Sequence, residues 1–217
     1  MTAFSKDRDI LIYEPELFNQ YYFQSQVLAE GTGGTLSGTS FTVSGEDFIS
    51  AGVSAGCVIY LQAAALTACA FEVVSVDSAT QLTVSVLRAQ GDDEPVAPPS
   101  AGDVSYRIST FAAMTEQVGA ELMECFGIAA GDSDSEIDIN DIINEEVLKR
   151  ASIFGVISRA YASLASEEDA EHFFKKSHYY QTLYEKARER CRIDIDINGD
   201  GERDGSLGRG TGRLIRD

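Results

Sequence analysis

The chain has 217 residues, 44% hydrophobic and 24% charged, an ordinary globular composition with material for one large domain or two small ones. Its 35 acidic residues against 17 basic ones leave a net charge of −18, which repels phosphate backbones and argues against sequence-independent DNA binding over most of the surface. No run approaches the ~20 apolar residues of a transmembrane helix, and the opening MTAFSKDRDILIYEPELF lacks an apolar stretch of signal-peptide length, so no membrane partner is expected.

Residues 1–30 carry scattered apolar and aromatic positions, from Ile10 to Phe23. They read as a short extended piece and then a helical turn or two after Pro15, since proline suits a helix's first turn. The glycine-rich EGTGGTLSGTS that follows reads as a flexible linker.

Residues 31–108 read as β. TSFTV, GCVIYL, AFEVVSV, QLTVSVL and VSYRI are short runs of Val, Ile, Thr, Tyr and Phe separated by Gly, Ser, Asp and Pro. Two of them flank Asp77-Ser78-Ala79-Thr80, which reads as a hairpin with a loop of about four or five residues. Few, short strands favour a small barrel, whose closure leaves little edge exposed. The stretch 91–103, with three of the four prolines, reads as a loop.

From residue 109 the period turns helical. Phe111, Met114, Val118, Leu122 and Cys125/Phe126 form one stripe, which Ser109 or Thr110 can cap. After the acidic GDSDSEIDIND, a second helix begins near Asn144, with Val147, Ala151, Phe154, Ile157 or Ser158, and Tyr161 on one face. Ser166, with Asp169 as an imperfect capping box, opens a third, whose stripe is Ala170, Phe173/Phe174, Ser177, Tyr180, Leu183/Tyr184 and Ala187. The short link between the last two predicts an antiparallel pair over the region 109–191. Residues 192–217 return to glycine and charge and read as an acidic turn with an extended tail.

Chemical motifs are few. HExxH and CxxC are absent from the sequence, and Cys57, Cys69, Cys125 and Cys191 sit in apolar or helical contexts, as buried reduced thiols do. Gly33 to Gly38 with Thr39 has the outline of a phosphate loop but lacks its lysine. His172 and His178 are six apart, so one helix cannot present both to a zinc ion.

The most specific local pattern is Asp194, Asp196, Asn198, Asp200, Gly201 and Asp204. Oxygen ligands at alternate positions, with a glycine for the sharp turn, are what Ca²⁺ takes in an EF-hand-type loop. The frame from Asp196 places Leu207 where a bidentate Glu belongs, and the frame from Asp194 places Gly205 there. Two readings follow: a weak Ca²⁺ site, or an acidic turn held by side-chain-to-backbone bonds. Beyond the turn, Arg209, Arg213, Leu214, Ile215 and Arg216 make a locally basic and apolar tail. It is either a loose terminus or a docking peptide with Leu214-Ile215 as anchor and the arginines facing a partner's carboxylates.

The order of these parts resembles the head–tail adaptor, or head-completion, proteins of long-tailed bacteriophages. The resemblance rests on YRISTFAAMTEQVGAELMECFGI, on EVLKRASIFGVISRAYASLASEEDAEHFFKKSHYYQTLYEKARERC, and on RIDIDINGDGERD with GRLIRD. It covers the C-terminal half. It implies an α+β chain: a C-terminal antiparallel helical bundle on which residues 1–30 pack, a small β-barrel-like domain inserted into it, and an extended C-terminal tail. It also implies a non-enzymatic virion protein of the neck, assembled in the host cytoplasm as a homo-oligomeric ring of about a dozen copies. The tail would dock on the portal protein, and a tail-side neck protein (stopper or tail-terminator) would lie beyond. Genomic DNA would only pass through the lumen, whose acidic wall would not hold it. The rival readings are a Ca²⁺-dependent recognition module, another neck or tail-completion protein, and an enzyme of unrecognised mechanism.

Overall fold

The computed structural model describes residues 3–128, 137, 139–165 and 171–208. The chain divides into two units, Lys6–Phe111 and the residues up to Ser5 together with those from Ala112 onward.

In the first unit, helices α1 (Asp7–Tyr13) and α2 (Glu16–Asn19) precede six strands: β1 (Val27–Ser37), β2 (Ser40–Thr42), β3 (Val58–Ala63), β4 (Leu66–Ser78), β5 (Gln81–Ser85) and β6 (Ala101–Ser109). They close into an antiparallel barrel in the order β1-β2-β5-β4-β3-β6. Closure gives every strand two neighbours and removes the exposed edges that short strands otherwise present. Leu36, Phe41, Phe48, Ile59, Leu61, Leu82, Val84, Val104 and Ile108 fill the interior at 1% exposure or less. Each such side chain contributes about 1.5–3 kcal/mol of transfer free energy, which is how so short a set of strands holds together.

The Gly-rich stretch expected to be a linker is strand β1. Its glycines are there for steric reasons. A Cβ on Gly34 would lie 2.6 Å from the Phe41 ring, and one on Gly31 would lie 2.9 Å from the Tyr106 hydroxyl. The missing side chains on β1 make room for large ones from β2 and β6. The phosphate-loop outline disappears with the linker, because Gly38 and Thr39 form the turn between β1 and β2 rather than the start of a helix. At the β4–β5 hairpin Ser78 pairs with Gln81, so the turn is the two residues Ala79 and Thr80 and not the longer loop expected.

Helices α1 and α2 belong to the barrel. The Arg8 N–H donates to the Gly56 carbonyl, and α2 lies against β3 and β4. Glu72 on β4 is fully buried and accepts from Arg8 Nε at 2.5 Å and from Arg88. Two guanidinium groups around one carboxylate supply the partners a buried charge requires. This corrects the architecture expected above. The helices are not a C-terminal bundle with a barrel inserted into it, because the N-terminal helical segment packs on the barrel and forms one unit with it.

In the second unit α3 (Ala112–Cys125), α4 (Glu146–Leu164) and α5 (Glu171–Arg190) pack in sequence. Phe173 and Tyr180 stack on Tyr161, Tyr180 also faces Phe154, and Cys191 Sγ donates to the Val147 carbonyl. These pairings run in opposite senses along the two helices, so α4 and α5 are antiparallel. Gly155 marks the closest approach: a Cβ there would meet Val118 of α3 at 2.8 Å and the Tyr184 ring of α5 at 3.2 Å. The expected stripe on α4 is too narrow. Ala151 to Ser158 are buried without interruption, while Val147, expected inside, is 40% exposed. At the end of the described chain, Arg192–Ile195 (β7) and Gly205–Gly208 (β8) flank the expected acidic turn and pair as an antiparallel hairpin that was not expected. All four cysteines are free thiols, Cys57 and Cys191 buried. No helix among the described residues is long and apolar enough to cross a membrane.

Candidate functional site

The acidic turn sits at the tip of the β7–β8 hairpin, and the hairpin is anchored at its root. Ile193, Ile195 and Leu207 are buried, so one face of the ladder is apolar. Asn144, just before α4, binds one edge of β7, the other being paired with β8. Its Nδ2 donates to the Arg192 carbonyl and to Asp194 at 3.2 Å, and its Oδ1 accepts the Asp194 N–H at 2.8 Å. The segment ahead of it runs beside β7, with a bridge between Ile142 and Ile195 and an Asp196 N–H bond to the Asp141 carbonyl.

At the tip, the carboxylates bind the chain's own backbone. Asp196 accepts the N–H groups of Gly201 and Gly199, each at 2.7 Å, and these bonds hold its carboxyl below the usual carboxylate range. Asn198 Oδ1 accepts from the Asp200 N–H, Asp200 from the Glu202 N–H, and Asp204 from the N–H groups of Ile197 and Asn198. Gly199 and Gly201 have φ of 75° and 83°, the left-handed conformation that glycine adopts without penalty and that aims these amides inward. The result is the side-chain-to-backbone turn of the second reading above. Asp194 is drawn elsewhere, to Asn144 and to Arg203 at 3.8 Å.

The residues do not complete an EF-hand-type cage. Leu207, in the place of the bidentate carboxylate, is buried in β8 opposite Ile193, and Gly205 lies opposite Ile195. A strand follows the turn, where that motif has a helix. Among the described residues no group of three or more His, Cys, Asp or Glu side chains is placed to hold a metal ion. Arg209, Arg213, Leu214, Ile215 and Arg216, the expected docking residues, lie outside the described residues. The structure fixes the point from which they start, at Gly208 opposite Arg192.

One feature of the second unit escaped the reading of the sequence. Where the start of α4 meets the end of α5, a groove of about 380 Å³ opens over Val147, Phe154, Leu183 and Ala187, rimmed by Arg150, Lys186, Arg190 and Arg192. Among the described residues none of these four cations pairs with a carboxylate. The signal was present in the sequence as Val147, Arg150 and Phe154 at steps of three and four, and as Leu183, Lys186, Ala187 and Arg190 at the same steps. Only the antiparallel pairing brings the two sets to one groove.

Comparison with known proteins adds nothing to this geometry: no protein-family model, no curated protein and no solved structure matches the chain.

Proposed function

We propose that this chain is a structural subunit of the neck of a long-tailed bacteriophage: a head–tail adaptor that assembles as a ring between the portal protein and the tail-side neck proteins. The observation that carries the reading is the anchored hairpin. Asn144 and the Ile142–Ile195 bridge tie β7 to the start of α4, so the hairpin is held in place up to Gly208, the residue before Arg209. A peptide with arginines around Leu214-Ile215, launched from a rigid base, suits docking into a partner's acidic and apolar cleft, because only the peptide itself must be ordered on binding. The net charge of −18 is consistent with a channel wall over which DNA slides without condensing.

The test is truncation at Gly208. Removing residues 209–217 leaves β8 in place, so the fold and its melting temperature are retained, and co-purification with the portal protein is lost. A truncated chain that still binds the portal would remove the docking role of the tail and with it the main support for this reading.

A further inference from the structure

We infer that the groove between α4 and α5 binds the acidic turn of a second copy of this chain, and that this is the lateral contact of the assembly. The inference deepens the adaptor reading and rests on it only for the ring.

The groove has two demands. Its rim carries Arg150, Lys186, Arg190 and Arg192, four of the 17 basic residues, on a chain of net charge −18. Its floor, with Phe154 and Leu183, is apolar. A phosphate backbone would satisfy the rim and leave the floor wet, and the acidity of the rest of the chain would oppose it. A protein segment with an apolar side chain between carboxylates satisfies both, since guanidinium groups bind carboxylates with two parallel bonds and the apolar residue displaces water from the floor.

The chain itself presents such a segment. At the tip of the β7–β8 hairpin Ile197 is 42% exposed, and Asp200 and Glu202 are exposed in the same turn. The Glu202 carboxylate has no partner among the described residues. The turn is already ordered by its own hydrogen bonds, so docking costs little conformational entropy.

The turn cannot reach the groove of its own chain. Arg192, on the groove's rim, is the first residue of β7, and the turn begins beyond Ile195, its last. An extended strand of that length separates them by about 10 Å and directs the tip away. Groove and tip are thus different surfaces at opposite ends of one hairpin. A contact between them is head-to-tail, the kind that repeats from copy to copy and closes into a ring when the rotation allows.

The experiment uses the full chain in sedimentation velocity over a concentration series at low salt. One variant, Lys186→Ala with Arg190→Ala, removes rim cations and keeps the turn. The other, Ile197→Ala with Glu202→Ala, removes the apolar anchor and one carboxylate and keeps the groove. All four positions are exposed or helical-surface sites, and circular dichroism checks the fold. The wild-type chain is expected to form species larger than dimers, weakened by salt. Each variant alone should need at least about tenfold higher concentration to associate. An equimolar mixture of the two should stop at a dimer, because only one intact groove and one intact turn meet. A wild-type chain that stays monomeric throughout, with a mixture that does the same, overturns the inference. So does association untouched by the groove variant. Loss in the groove variant alone, with the turn variant still associating, removes the turn as occupant and overturns it too. None of these failures touches portal binding, so the adaptor reading stands or falls separately on the truncation at Gly208.

Discussion

At the scale of single residues, the barrel's behaviour is set by where small and charged groups are placed. Asp7 is the clearest case. Burial raises its carboxyl from 3.8 to about 6, against the lowering effect of bonds from the Phe111 N–H and the Thr110 hydroxyl. The folded chain therefore holds this proton more tightly than the unfolded chain does. The stabilisation is complete below about 3.8 and is lost as pH rises towards about 6. Asp7→Asn keeps an acceptor for Phe111 without burying a charge. It should stabilise the chain at pH 7 by on the order of 2 kcal/mol and flatten the pH dependence between about 4 and 6, measured by urea unfolding. The glycines of β1 allow a second test. Gly34→Ala forces a methyl into the buried Phe41 ring and should cost about 1–3 kcal/mol, whereas Gly102→Ala on β6, with nothing within 4 Å, should change stability by less than about 0.5 kcal/mol. Nothing in the residues EGTGGTLSGTS distinguishes a linker from a strand, because the reason for the glycines is two rings supplied by other strands.

At the scale of elements, the sequence was legible where one face decides and illegible where partners come from afar. Strands β2 to β6 and helices α3 to α5 follow from alternation and from steps of three and four. The assignment of α1 and α2 to the barrel depends on Arg8 meeting Glu72 and Gly56, contacts 64 and 48 residues apart along the chain. The burial of α4 on most of its sides depends on α3 and α5 both reaching Gly155. Neither leaves a local periodic mark. The hairpin of β7 and β8 was hidden because its acidic turn dominates the composition, although Ile193, Ile195 and Leu207 alternate around it. If backbone bonds alone hold that turn, saturating Ca²⁺ and a chelator give the same melting temperature. A rise with Ca²⁺ would show a bound ion contributing through mass action. Because its carboxyl is held low in the folded chain, Asp196 adds stability that is present above 3.8 and lost as pH falls through its lower folded value. Asp196→Asn should remove that acid-side loss, read by amide exchange at Gly199 and Gly201.

At the scale of the whole molecule, an acidic chain carries a closed barrel and a helical unit whose anchored hairpin tip and cationic groove are opposite in charge. The proposed adaptor role rests on the order of parts in the C-terminal half, where helices α3 to α5 were legible in the sequence. The barrel's membership of an N-terminal unit was not, because a small β domain flanked by helical sequence has the same pattern whether it is inserted or leads the chain. The most direct test of the proposed role is electron microscopy of lysates from a phage that encodes this chain, with its gene disrupted. DNA-packaged or leaking heads beside separate, complete tails are the expected result, and ordinary tailed particles in the mutant lysate would contradict the proposal.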